Sequence, residues 1–150
     1  MYMLYSRSSE YVVRALVYLA LQDSSTYVMI KEISEKTEIP QPFLSKIFQD
    51  ISRAKWITSK KGKNGGVRLS VNPEKLKLLD VITYFDGSQD YSRCMFGHKE
   101  CGVSSKCALH NKCSDLKNEI YDFLNSTTIS EFTNIWRKEN KVSLKELKII

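Results

Sequence analysis

Apolar side chains recur along the first half of the chain with the spacing of helix faces, and the interruptions fall where helices must end. Over residues 8–21, Val12, Leu16 and Leu19, with Ala15 and Ala20, keep to one face of an amphipathic helix. Asp23-Ser24-Ser25 closes it. A second, shorter helix runs from Met29 to Thr37, with Ile30 and Ile33 apolar among Lys31, Glu32, Glu35 and Lys36. Ile39-Pro40-Gln41-Pro42 breaks the pattern, because a residue before proline is pushed out of the α region. Pro42 itself suits the first turn of a third helix, where its missing N–H is no loss. In that helix Leu44, Ile47, Phe48 and Ile51 fall at i, i+3, i+4 and i+7, one buried stripe, while Ser45, Lys46, Gln49 and Asp50 face elsewhere. Two short helices joined by a tight turn make a helix-turn-helix.

The period then changes. Trp56 to Ser59 is strand-like, and Val67, Leu69 and Val71 alternate with Arg68 and Ser70 as a half-buried strand does. Between them lies Lys60-Lys61-Gly62-Lys63-Asn64-Gly65-Gly66, in which Asn64-Gly65 is a strong hairpin-turn signal. A hairpin directly after a helix-turn-helix is a wing. Pro73 reads as a helix start leading Leu76, Leu79, Val81, Ile82 and Phe85 into the stop at Asp86-Gly87. Further on, Leu116, Ile120, Phe123 and Leu124 mark another amphipathic helix, whose stripe is either intramolecular core or a dimer seam. Phe132, Ile135 and Trp136 indicate a short helix after it, and the tail from Lys138 is charged with scattered aliphatics.

Charge changes this picture more than overall composition does. With 42% hydrophobic and 27% charged residues in 150, the chain is an ordinary globular protein of one domain or one domain plus an appendage, which excludes disorder. The apolar stretch from Tyr11 to Leu21 is interrupted by Arg14 and is too short for a membrane span; with Glu10 and Arg14 flanking and entering it and no small-residue cleavage pattern after it, it does not read as a signal peptide, so a cytoplasmic location is expected. The net charge of +6 sits mostly in residues 1–72, which hold 11 basic and 6 acidic side chains. From Arg53 to Arg68 there are six cations (Arg53, Lys55, Lys60, Lys61, Lys63 and Arg68) and no acid. A charge run alone is most often a solvated loop. On a wing it points to double-stranded DNA, with Lys60, Lys61, Lys63 and Arg68 at phosphates and Asn64 and Gly65 in the DNA-binding turn between them. The third helix would read bases in the major groove through Gln41, Ser45 and Lys46, with Pro42 at its entry. One such module sees few base pairs, so specificity calls for a dimer on half-sites about 34 Å apart.

The cysteines obey another rule. Cys94, Cys101, Cys107 and Cys113 fall within one twenty-residue segment, which also contains the only histidines, His98 and His110. The spacing C-x6-C-x5-C-x2-H-x2-C lacks the paired knuckles of most structural zinc sites and differs from both ferredoxin patterns. In a reducing compartment it indicates a zinc or iron–sulfur site, with thiol redox sensing and simple buried thiols as the other readings. His98 reads as a surface loop residue. An enzyme using a cysteine with His110 as base lacks an orienting third group.

Taken in order, these segments resemble the Rrf2 family of bacterial winged-helix transcription regulators over nearly the whole length. The matching pieces are Ser8 to Leu16, Ile39 to Ile47, the wing Lys61 to Gly66, Leu79-Asp80-Val81-Ile82 and Cys107-Ala108-Leu109-His110. The resemblance implies a mainly α fold with a small β-wing: a winged helix-turn-helix over 1–87, a cysteine-rich loop over 88–113, and a long dimerisation helix with its tail over 114–150. It implies a homodimer whose long helix crosses between subunits, DNA as partner, and no membrane association. In the cluster-binding branch three loop cysteines, here Cys94, Cys101 and Cys107, hold an iron–sulfur cluster, [2Fe-2S] or [4Fe-4S]. The fourth ligand differs among members: a His three past the third Cys, here His110, or an acidic residue before the first-helix Tyr, here Glu10, contributed by the partner subunit. Cys113 stands where members often carry Trp and is a further candidate thiolate. Glu10 also suits the first turn of its helix, where the dipole favours an acid. The alternatives are a regulator of the same fold that senses a small molecule or thiol oxidation without a cluster, and a zinc-stabilised adaptor or thiol redox enzyme.

Overall fold

A computed structural model describes residues 5–87 and 107–139, which form six helices and one two-stranded antiparallel sheet. The first helix, α1 (Arg7–Leu21), occupies the centre. Ser6 caps it by accepting the Ser9 N–H at 3.2 Å, and Asp86 accepts the Ser6 N–H at 2.7 Å, which ties the start of α1 to the end of α4 (Leu78–Asp86). The sequence pattern predicts one buried face for α1. Instead every residue from Val12 to Leu19 is buried, because α6 (Ile129–Glu139) and α4 pack on it, together with α2 (Ile30–Thr37), α3 (Gln41–Arg53) and the second strand. A helix surrounded in this way is apolar nearly all round. The core that results includes Leu16, Ile33, Ile39, Leu44, Ile51, Val81, Ile82 and Ile129, each contributing about 1.5–3 kcal/mol on burial.

The stripe Leu44, Ile47, Phe48 and Ile51 is buried as its spacing predicts. α3 ends in a left-handed residue, Lys55 at φ 60°, with the Trp56 N–H on the Ile51 carbonyl at 3.0 Å and the Lys55 N–H on that of Ser52 at 3.0 Å. That reversal launches the wing, β1 (Ile57–Lys60) against β2 (Gly66–Leu69), in the register Ile57↔Leu69 and Lys60↔Gly66. The hairpin turns through Gly62 at φ 95° and Asn64 at φ 65°. Val28, in the loop before α2, adds a third edge: it exchanges both backbone hydrogen bonds with Val67, each 2.9 Å. Gly66 is required at that seam, since a Cβ there would lie 2.3 Å from the Val28 carbonyl oxygen.

One helix start differs from the pattern. Pro73 does not open α4, which begins at Leu78; residues 73–77 form a turn and an extended stretch. Backbone groups of this stretch and of Leu78 are taken by a distant segment: Ile129 N–H on Leu76 O at 2.9 Å, Ser130 N–H on Pro73 O at 3.0 Å and Leu78 N–H on Thr127 O at 3.0 Å. The strand also stops at Leu69, short of Val71. Beyond the turn, Asp80 accepts the Lys77 N–H at 3.0 Å and fixes the first turn of α4. α5 (His110–Ser126) lies against α4 and buries only Leu124, leaving Leu116 and Phe123 exposed.

Candidate nucleic-acid interface and cysteine segment

Ile39 is fully buried in the turn between α2 and α3, and its carbonyl accepts the Ser34 hydroxyl at 2.7 Å. With the turn held inward, the first residues of α3 face out. Gln41, Pro42, Phe43 and Lys46 are exposed and Ser45 is half-buried, so the side chains that sequence assigned to base reading share one accessible helix start. Phe43 stacks edge-on against Tyr11 of α1 at 6.0 Å between ring centroids.

The six cations fall in three places. Arg53, at the end of α3, pairs with Asp50 at 3.1 Å, and exposed Lys55 follows it. Lys60, Lys61, Lys63 and Asn64 are exposed at the wing tip, and no acidic side chain pairs with them among the described residues. Gly65 is buried inside the turn, its N–H on the Gly62 carbonyl at 2.9 Å; it shapes the tip. Arg68 lies back on the root of the wing, its guanidinium 4.8 Å from the centre of the Tyr27 ring and donating to the Ser24 carbonyl at 3.4 Å.

Of the metal candidates, Cys94 and Cys101 lie outside the described residues, as does His98. Cys107 and Cys113 are free, half-buried thiols bracketing the first turn of α5. The backbone builds that turn: the His110 N–H donates to Cys107 O at 3.1 Å and the Cys113 N–H to Leu109 O at 2.9 Å. Among the described residues no three His, Cys, Asp or Glu side chains converge as a metal site. The donor chemistry of Cys107 and His110 fits an iron–sulfur ligand set. Glu10 does not fit as placed, because its carboxylate is engaged by the Arg14 guanidinium one turn along α1.

Arg14 is the residue that pattern reading missed. It is 7% exposed, inside the core, and bridges two elements: one amine on Glu10 and the other on the Thr37 carbonyl at the end of α2, 3.1 Å away. The i,i+4 spacing of Glu10 and Arg14 was a legible signal; the contact with Thr37 was not. Burial, and then the charge of Glu10, pushes the Tyr5 hydroxyl up from its ordinary value.

A helix-turn-helix with an exposed second-helix start, followed by a basic hairpin, defines a winged-helix DNA-binding regulator. The Rrf2 family, described as iron-dependent transcriptional regulators, matches residues 5–135, and the chain belongs to it. A protein of Aquifex aeolicus named as an HTH-type transcriptional regulator is 34% identical over 138 residues, 91% of this chain and 95% of its own. The HTH-type transcriptional regulator IscR of Vibrio campbellii is 31% identical over 132 residues, 88% of this chain and 76% of its own. In fold, the chain is similar to CymR, the global cysteine regulator of B. subtilis, with a TM-score of 0.70 and 18% identity over 90% of this chain and 98% of that one. These relatives are transcriptional regulators, not enzymes. No helix among the described residues is long and apolar enough to cross a membrane.

Proposed function

We propose that this chain is a homodimeric, sequence-specific repressor or activator whose DNA affinity is set by an iron–sulfur cluster held by Cys94, Cys101 and Cys107. The observation that carries the reading is one of placement. The Cys107 thiol lies three residues before α5 begins, and α5 exposes Leu116 and Phe123 along the face a second subunit would cover. Similarity to IscR supports the cluster. A cluster supplies a group that oxidants, nitric oxide or iron shortage can alter, and DNA affinity follows only if its two states bind DNA differently. His110 is the better-supported fourth ligand, one helical turn from Cys107. Glu10, from the partner subunit, would first have to leave Arg14, and Cys113 is a spare thiol on the same turn.

Bases are read by Gln41, Ser45 and Lys46, and phosphates are met by Lys60, Lys61, Lys63 and Arg68, with the protein at work in the cytoplasm. A second reading, thiol sensing without a cluster, draws on the free Cys107 and Cys113 and on the likeness to a cysteine regulator.

Anaerobic purification separates the two. The cluster reading expects a brown protein with near-stoichiometric iron and sulfide, lost in Cys94→Ser, Cys101→Ser and Cys107→Ser and kept in Cys113→Ser. A protein that stays colourless after anaerobic reconstitution, or that carries zinc, overturns it. Selection of genomic fragments at ~150 mM salt should enrich one motif, whose preference shifts in Gln41→Ala or Ser45→Ala but not in the Lys60→Ala, Lys61→Ala double variant.

A further inference from the structure

Tyr27 belongs to no motif of the sequence, yet its backbone is locked on both sides. Upstream, the Asp23 carboxylate accepts the Ser25 N–H at 2.8 Å and the Asp23 carbonyl accepts the Thr26 N–H at 2.9 Å. Downstream, Val28 is paired through two backbone hydrogen bonds with Val67. Antiparallel register then sets Tyr27 directly opposite Arg68, on the face away from the core that Val28 and Val67 line. Lys60, paired with Gly66, lies two residues along that face from Thr58, the other cross-strand partner of Arg68. Both cations meet the ring: the Arg68 guanidinium carbon at 4.8 Å from its centre and Lys60 Nζ at 5.8 Å. Each lies within the reach of a cation–π contact.

The partner matters chemically. A carboxylate would neutralise such a cation, as Asp50 does for Arg53 at the end of α3. An aromatic face attracts a cation through its quadrupole and leaves the full charge in place. It also restricts two long side chains that would otherwise lose rotamer freedom on binding.

We infer that Tyr27 is a positioning residue for the nucleic-acid interface, a ring platform that holds Lys60 and Arg68 side by side, still charged, for adjacent phosphates of one strand. This rests on the DNA-binding reading and adds to it a residue from outside the helix-turn-helix and the wing.

The test is fluorescence anisotropy of the full chain with a duplex from 50 to 300 mM salt, with a thermal melt of each variant. Tyr27→Leu should weaken binding about tenfold at ~150 mM and flatten the slope of log affinity against log salt by about 1, while Tyr27→Phe stays within about twofold of wild type. In the Lys60→Ala, Arg68→Ala background Tyr27→Leu should do nothing more. Equal losses in Tyr27→Leu and Tyr27→Phe, an unchanged slope, or a Tyr27→Leu effect that persists in that background would each overturn the inference. If Tyr27→Leu does not fold, Lys60→Ala and Arg68→Ala decide: unless each flattens the slope, these cations meet no phosphate. Wild type that binds no duplex at all removes the DNA-binding reading together with this one. Wild type that binds while Tyr27→Leu matches it removes only the platform.

Discussion

α1 and α5 are close in length, 15 and 17 residues, but nine residues of α1 are buried and one, Leu124, of α5 is. Both carry apolar residues at helical spacing. The difference lies in what the described residues place around them: α1 is enclosed by four helices and the wing root, while α5 rests on α4 and leaves Leu116 and Phe123 45% and 58% exposed. Helical spacing tells which residues want to leave water. It does not tell whether their own chain provides the cover.

Three measurements break or sharpen this contrast. The largest effect is expected in α1: Leu16→Ala leaves a cavity at a fully buried site and should destabilise the monomer by about 3 kcal/mol in urea melts, without altering its association. In α5, Phe123→Ser and Leu116→Ser should change monomer stability by no more than about 0.5 kcal/mol but raise the dissociation constant of the proposed dimer at least tenfold in sedimentation runs. Should Phe123→Ser unfold dilute monomer as strongly as Leu16→Ala, α5 belongs to the internal core and the contrast is false.

The smallest effect concerns the hydroxyl of Tyr18, near the C-terminal end of α1. Tyr18 donates its hydroxyl to Glu32 at 3.0 Å, and burial, together with that carboxylate, pushes its pKa from 10.0 up to about 12. A raised pKa means stability is whole below about pH 10 and declines as pH climbs from there through 12. Tyr18→Phe should remove that alkaline loss and cost about 1 kcal/mol at neutral pH through the missing hydrogen bond. An alkaline melt unchanged by Tyr18→Phe would show that the ionising group lies elsewhere.

Where a segment's structure depends on its own residues, it was legible. The stripe of α3 follows from four apolar positions, the hairpin from Asn64-Gly65 and the end of α4 from Gly87 at φ 80°. Where a distant segment decides, it was not. Pro73 carries a helix-start signal, but its carbonyl and that of Leu76 are claimed by residues 129 and 130, more than fifty positions on. Arg14 looked like an interruption of an apolar helix, because the carbonyl that makes its burial tolerable belongs to Thr37. The residues proposed to read bases could be singled out because α3 presents them locally, at its exposed start. Tyr27 was not, since its importance comes from register with Arg68. Cys107 and Cys113 were legible by type and spacing, and Cys94 and Cys101 lie outside the described residues.

The backbone seam between Val28 and Val67 has a mechanical consequence. Val28 stands two residues before α2, and Val67 is the second residue of β2, the wing strand that lies between β1 and Val28, so the two jaws that would grip a duplex are riveted to each other at their hinge. They form a caliper of fixed opening. A duplex whose grooves do not match that gauge has to be reshaped, since the jaws cannot spread without breaking two hydrogen bonds beside a glycine that tolerates no substitute. Binding sites would then be sorted by their stiffness as well as by their bases, at positions that no side chain of the protein touches.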